Sequence, residues 1–118
     1  MIQGTASTTN TTFTTALTFT TASDQTQLVR VLVVGRRTGG TAGSTDDSYA
    51  AYRTTTIKNV GGTVTVDTPN SDYTYKDVTG AGHWNCQFIV SGTSVLFQVQ
   101  GQTNNNVSWT AMAQILTL

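Results

Sequence analysis

His83 and Cys86 are the one histidine and the one cysteine of this 118-residue sequence, and they lie three residues apart. A thiolate activated by a neighbouring imidazole is a nucleophile for acyl transfer. On a strand, however, residues three apart point to opposite faces, and Cys86 shares its face with Trp84 and Phe88. Its expected role is that of a small buried core residue. One histidine and one cysteine also fall short of the ligands of a zinc site unless neighbouring chains complete it. Asp46 and Asp47, with Ser44, Thr45 and Ser48, offer oxygens to a hard cation, but the ordered ligand series of a calcium loop is missing, so a solvated turn is expected. Arg36-Arg37 ahead of Gly39-Gly40 lacks the lysine–hydroxyl pair and the following helix of a phosphate loop. These residues predict a protein that is not an enzyme and that holds no metal and no cofactor.

What they can do is bind other proteins. Arginine forks are favoured at interfaces, and Arg36, Arg37 and Arg53 are placed to pair with Asp46, Asp47 or a partner's carboxylates. The tyrosines Tyr49, Tyr52, Tyr73 and Tyr75 are candidates to face a ligand or a subunit, whereas Trp84 and Trp109 alternate with core residues and are expected inside. The candidate contact set is Ile2, Gln3 and Thr5 near the N-terminus, Arg36, Arg37, Asp46 and Asp47 in a long glycine-rich loop, and Tyr49 and Arg53 just beyond it. Asn10-Thr11-Thr12 and Asn106-Val107-Ser108 match the glycosylation pattern and are read as coincidences of a chain rich in Asn and Thr.

The composition narrows the partners. Charged residues make up 10% of the chain, against about 25% in a typical domain. Six acids balance six bases, and only Arg36 and Arg37 are adjacent among the bases. A dense basic face able to displace counterions from phosphates is absent, so no nucleic-acid partner is expected, and polybasic membrane attachment fails for the same reason. No stretch approaches the roughly 20 apolar residues of a membrane span. The segment before Arg30 has neither a basic residue nor a continuous apolar run, so no signal peptide is expected.

The elements that must position these residues read as strands. There is no glutamate, lysine is scarce and threonine is abundant, a bias toward pleated surfaces rather than helices. Met1 to Asn10 reads as a polar arm, and residues 11–118 as the single domain. Phe13, Thr15, Leu17 and Phe19 alternate with threonines and Ala16 along a half-buried strand. Gln27 to Val34 is apolar on both faces apart from Arg30, which predicts a central strand covered on both sides. Gly35 to Ser48 has no period and reads as the longest loop, with a contact role. Tyr49 to Val60 alternates; Gly61-Gly62 turns; Val64 and Val66 continue as a short strand; Pro69 to Asp72 reads as a turn, Tyr73 to Tyr75 as a brief edge strand and Gly80 to Gly82 as a break. Trp84 to Val90, Ser94 to Gln100 and Val107 to Ile115 then read as three neighbouring antiparallel strands. Seven or eight short strands between glycine and asparagine turns predict an all-β, single-domain antiparallel β-sandwich, jelly-roll-like.

Gly92-Thr93-Ser94-Val95-Leu96-Phe97-Gln98-Val99-Gln100-Gly101, followed by Val107-Ser108-Trp109-Thr110-Ala111, resembles the strand, glycine turn and Trp-bearing strand at the C-terminal end of phage particle proteins. Arg36-Arg37-Thr38-Gly39, Tyr52-Arg53, Gly61-Gly62-Thr63-Val64 and Trp84 occur upstream in the same order, so the likeness runs from about Val29 to Leu118. Such proteins include capsid decoration (cement) proteins, often jelly-roll trimers, and distal domains of tail or head fibres. No heptad, collagen-like repeat or other shaft stands ahead of the domain. The resemblance therefore implies a virion decoration protein on the outer capsid surface, with the major capsid protein and its own copies, as a homotrimer, for partners. The alternative it leaves is a receptor-binding head domain of a tail or head fibre that recognises a cell-surface glycan.

Overall fold

The computed structural model describes residues 1–67, 70–78 and 83–118, with the backbone alone for 70–72. The described residues form nine strands: β1 (Ile2–Thr8), β2 (Thr14–Thr20), β3 (Gln25–Gly40), β4 (Ser48–Val60), β5 (Thr63–Val66), β6 (Asn70–Asp77), β7 (Asn85–Ser91), β8 (Ser94–Gln100) and β9 (Asn105–Thr117). They divide into a six-stranded sheet, ordered β1-β9-β3-β4-β5 with β6 also paired to β4, and a three-stranded sheet, β2-β8-β7. Every pairing is antiparallel. The fold is an all-β antiparallel sandwich of a six-stranded and a three-stranded sheet, with β3-β4-β5 a local meander and β7-β8 a hairpin.

Period-two patterning builds the core. Val29, Val31 and Val33 of β3, Ile57 of β4, Val95, Phe97 and Val99 of β8, and Val107, Trp109, Ala111 and Ala113 of β9 all turn inward and are buried. Phe88 packs against Phe97 edge-on at 5.1 Å and against Phe19 at 6.2 Å, so the small sheet brings its own aromatic layer to the interior. At the Gly61-Gly62 turn both residues have positive φ, 59° and 91°, a conformation that glycine adopts without a Cβ penalty.

Four expectations change. Met1 to Asn10 is not an arm: Ile2 to Thr8 pairs residue for residue with Ala113 to Val107 and forms the edge of the large sheet. Its inward residues Gly4 and Ala6 are small because β1 crosses close over β2, where a Cβ on Gly4 would run into the Ala16 carbonyl oxygen. Gly35 to Ser48 is not one loop either, since β3 continues to Gly40 and β4 begins at Ser48. Of the last three strands, β7 and β8 pair as expected but β9 does not join them. β8 is already flanked by β2 and β7, and β9 lies in the other sheet between β1 and β3. On β2 a register shift between Thr15 and Leu17 turns both Ala16 and Leu17 inward, which breaks the simple alternation. The expected turn at Pro69 lies partly, and the expected break at Gly80 to Gly82 wholly, outside the described residues.

Gly35 sits directly opposite Trp109 in the β3–β9 ladder. A Cβ built on it would fall 2.5 Å from the indole Cε3 and Cζ3 atoms, far inside van der Waals contact. The Gly35→Ala substitution is accordingly expected to destabilise the fold by about 1–3 kcal/mol through overpacking, read as a lower urea midpoint at unchanged m-value. An unchanged midpoint would show that the ring does not lie against the β3 backbone.

Candidate docking surface

The two outer faces of the sandwich differ in chemistry. On the small sheet, Gln87 Nε2 donates to Gln98 Oε1 at 3.0 Å and Gln98 Nε2 donates to Thr15 Oγ1 at 3.2 Å. That amide and hydroxyl ladder is a surface suited to water. The large sheet is the opposite. The outward residues of β3 are Leu28, Arg30, Leu32, Val34 and Arg36, and the register sets their neighbours. Leu32 lies between Met112 and Tyr52, Val34 between Thr110 and Ala50, and Leu28 between Leu116 and Thr56. Beyond β4, Tyr73 stands opposite Tyr52 and Tyr75 opposite Ala50. Val34 is 53% exposed, Tyr75 51% and Leu116 71%. A shallow depression of about 430 Å³ lies among Leu32, Val34, Ala50, Tyr52 and Tyr73.

The aromatic part of this face is ordered by stacking. The Tyr52 and Tyr73 rings are nearly parallel, 13° apart with centroids at 5.7 Å, and the Arg30 guanidinium carbon sits 4.9 Å from the Tyr52 ring centroid. Tyr52 is thus held between a cation and a second ring across three neighbouring strands, an arrangement that restrains all three side chains.

The candidate contact residues fall in different places. Gln3, Thr5 and Arg36 are exposed on the large sheet, and Asp46 is exposed at the tip of the β3–β4 hairpin. Ile2 turns inward and packs partly buried against the core. Arg37 closes its own hairpin, its Nε donating to the Ala42 carbonyl at 2.9 Å and its Nη2 to the Gly40 carbonyl at 2.7 Å. Asp47 is buried, with Oδ2 accepting from the Ser44 backbone N–H at 3.0 Å, so it shapes the loop from within. Tyr49 and Arg53 are buried as well. As odd-numbered residues of β4 they face the interior, opposite to Tyr52, and their side chains are not available to a partner. The residues that do make up the open face, Leu28, Leu32, Val34, Met112 and Leu116, were missed because the apolar run of β3 was read as already covered on both sides. That run was itself the available signal.

Inside, Tyr49 Oη lies 3.4 Å from Cys86 Sγ and accepts from Arg53 Nη2 at 3.4 Å. Burial pushes both the Tyr49 phenol and the Cys86 thiol above their ordinary pKa values. For Tyr49 the neighbouring Cys86 adds to the rise and Arg53 opposes it; for Cys86 the hydrogen bond from Tyr49 and the charge of Arg53 oppose it. The thiol is therefore protonated and covered at neutral pH, the reverse of an activated nucleophile. His83 is exposed. Among the described residues no group of three or more His, Cys, Asp or Glu side chains is arranged to hold a metal ion.

Two consequences are measurable. Iodoacetamide is expected to label Cys86 at least about 100-fold more slowly in the folded protein than in urea, because reaction waits on an opening of the core. Labelling at similar rates would place the thiol at the surface. Both groups also bind their protons more tightly folded than unfolded, so their contribution to stability is complete at neutral pH. It declines as pH rises past the ordinary thiol and phenol values of about 8.5 and 10. Tyr49→Phe should flatten the upper part of that decline.

The fold and its surfaces define an antiparallel β-sandwich whose large sheet carries most of the exposed apolar residues, with Ile89 and Val90 exposed on the small one. No protein-family model matches the chain, and no curated protein sequence matches it. Among solved structures, the tailspike protein of Acinetobacter phage vB_ApiP_P1 is similar with a TM-score of 0.48 and 17% identity. The match covers 97% of this chain and 22% of that one, so the chain spans about a fifth of the tailspike's length.

Proposed function

We propose that this chain is a structural protein of a bacteriophage particle, a decoration protein that docks as an oligomer on the outside of the capsid and holds neighbouring capsid subunits together. The observation that carries the reading is the open apolar face of the six-stranded sheet. Leu32, Val34, Tyr73 and Tyr75 are exposed on it, with Leu28 and Leu116 beyond the row Gln114-Arg30-Thr54, and exposed apolar patches mark sites that other protein surfaces cover, further copies of the chain or capsid subunits. The likeness of Gly92 to Ala111 to phage particle proteins supplies the kind of assembly. Binding to the assembled shell but not to its free subunits stabilises the shell by mass action.

Undecorated capsids from a phage deleted for this gene provide the test. Purified protein added back should saturate them at lattice-defined positions seen by electron microscopy and should raise the temperature at which the shell releases its contents. Absence of binding overturns the reading. Labelled protein found on the tail would select the other reading, a fibre-tip domain recognising a glycan, which the exposed Tyr73 and Tyr75 favour. Against that reading, the Tyr52 ring already has Arg30 over it and Tyr73 stacked beside it, which leaves less of the ring to stack on a sugar.

A further inference from the structure

We infer that the outer face of the six-stranded sheet is the surface through which copies of this chain associate with one another, with Leu32, Val34 and Tyr52 at its centre. The particle reading names an oligomer; this inference names the face, and it stands or falls separately from capsid binding.

The first argument is area. The face runs across β1, β9, β3, β4 and β6, which at about 4.8 Å between strands is about 20 Å wide. From Leu28 to Arg36 it runs eight residues along β3, about 27 Å at about 3.4 Å each. That is on the order of 500 Å² in plan, before the relief of the side chains is counted, and so the larger part of the roughly 800 Å² that one partner brings to a stable interface. The second argument is chemistry. Near the centre are Leu32, Val34, Ala50, Tyr52 and Met112, and of the charged groups beside them among the described residues, Arg30 rests on the Tyr52 ring and Arg36 follows Val34 at the end of β3. An interior depleted of charge and enriched in Tyr, Met and Arg is the composition of a homo-oligomer interface.

The third argument is fit. A twisted sheet packs face to face on another of like twist, about 10 Å apart with strands roughly 30° from aligned, and a second copy supplies such a sheet at the same concentration as the first. An acidic partner surface is the competing occupant, since Arg30, Arg36 and Lys58 lie on the outward side of β3 and β4. Those cations are spread along the strands instead of clustered, and between Arg30 and Arg36 the outward residues of β3 are Leu32 and Val34. That pattern matches another copy better than an acidic surface.

Sedimentation velocity on the full chain tests the inference. The expected mass is twice the 12.5 kDa of one chain, because the same face on two copies laid together closes a dimer, and Leu32→Glu should reduce it to that of one chain, with the strand signature in circular dichroism retained. Thr18→Glu, on the outer side of the small sheet, should leave the oligomer intact. A single-chain mass for the parent protein at every concentration, or an oligomer unaffected by Leu32→Glu, overturns the inference. Should Leu32→Glu fail to fold, Val34→Cys replaces it. Its thiol should react about 10-fold more slowly in concentrated than in dilute protein if association covers it, and a rate independent of concentration is the contrary result. Self-association without capsid binding would sustain this inference and remove the particle reading; capsid binding by a monomer would do the reverse.

Discussion

The Trp109→Ala substitution is expected to cost about 3–5 kcal/mol, the range for removing a large buried aromatic. Trp109 is 2% exposed and joins three parts of the interior. Its ring meets Tyr49 of β4 edge-on at 5.6 Å and Trp84 at 5.6 Å, and its indole Nε1 donates to Thr8 Oγ1 of β1 at 2.9 Å. A domain of this length has a total stability of roughly 6–18 kcal/mol, so the loss is a large fraction of the whole and should lower Tm by about 10–20 °C. The substitution should also change what Gly35 tolerates. Since the Cβ of Gly35→Ala collides with the Trp109 ring, adding that methyl to the Trp109→Ala protein should cost far less than adding it to the parent, a coupling of about 1 kcal/mol or more in a double-mutant cycle. Additive losses would show that the two residues do not share one space. A loss under about 1 kcal/mol for Trp109→Ala alone would mean that the core is not organised around this ring.

That interior was largely legible in the sequence because alternation reports directly which side of a strand is buried. Val95, Phe97 and Val99, and Val107, Trp109, Ala111 and Ala113 all follow it. Three kinds of information were not carried by alternation. Polarity says which side chains avoid water, not what covers them, so Leu28, Leu32 and Val34 read as buried although the single chain leaves them open. Strand length depends on backbone pairing, and the glycines and arginines of residues 35–40 gave a loop signal, yet they remain in β3 because β9 pairs with them as far as Gly40 across a shift at Arg37/Gly39. Sheet membership is non-local: nothing in Val107 to Ile115 announces that its partners are β1 and β3 rather than β8. The N-terminal strand escaped notice for a fourth reason. Its inward Gly4 and Ala6 are small where the chain crosses β2, and small residues leave almost no hydrophobic period.

The same gap separates the expected contact set from the open face. Tyr49, Arg53 and Tyr52 are neighbours in sequence, but β4 sends the first two inward and the third outward. A residue type suited to an interface was thus assigned to one before its face was known. Tyr52 reaches solvent with Arg30 and Tyr73, whereas Arg53 is retained inside, where its work is structural.

For that reason Arg53→Ala is expected to destabilise the protein by about 3–5 kcal/mol, the combined effect of several hydrogen bonds from one charged donor and the acceptors left without it. Arg53 is 9% exposed. Its Nη1 donates to the Tyr73 carbonyl at 2.7 Å and the Tyr52 carbonyl at 3.1 Å, and its Nη2 to Thr74 Oγ1 at 2.7 Å and Tyr49 Oη at 3.4 Å. Two of these acceptors, in Tyr73 and Thr74, belong to β6, so the side chain pins that edge strand to β4 from the core side. The loss should therefore be uneven: amide exchange along Tyr73 to Asp77 should accelerate well beyond that of β3 and β9, because a strand held at an edge opens before the centre of the sheet. Arg53→Lys should recover less than half of the loss, since an ammonium cannot reproduce the planar fork that reaches two carbonyls and two hydroxyls together. Removing the charge also removes the influence that opposes the rise of the Tyr49 and Cys86 pKa values, so both groups should hold their protons to still higher pH. Uniform acceleration of exchange across both sheets would instead assign Arg53 to the general stability of the core. A stability change within about 0.5 kcal/mol of the parent protein would show that the fork is not made in solution.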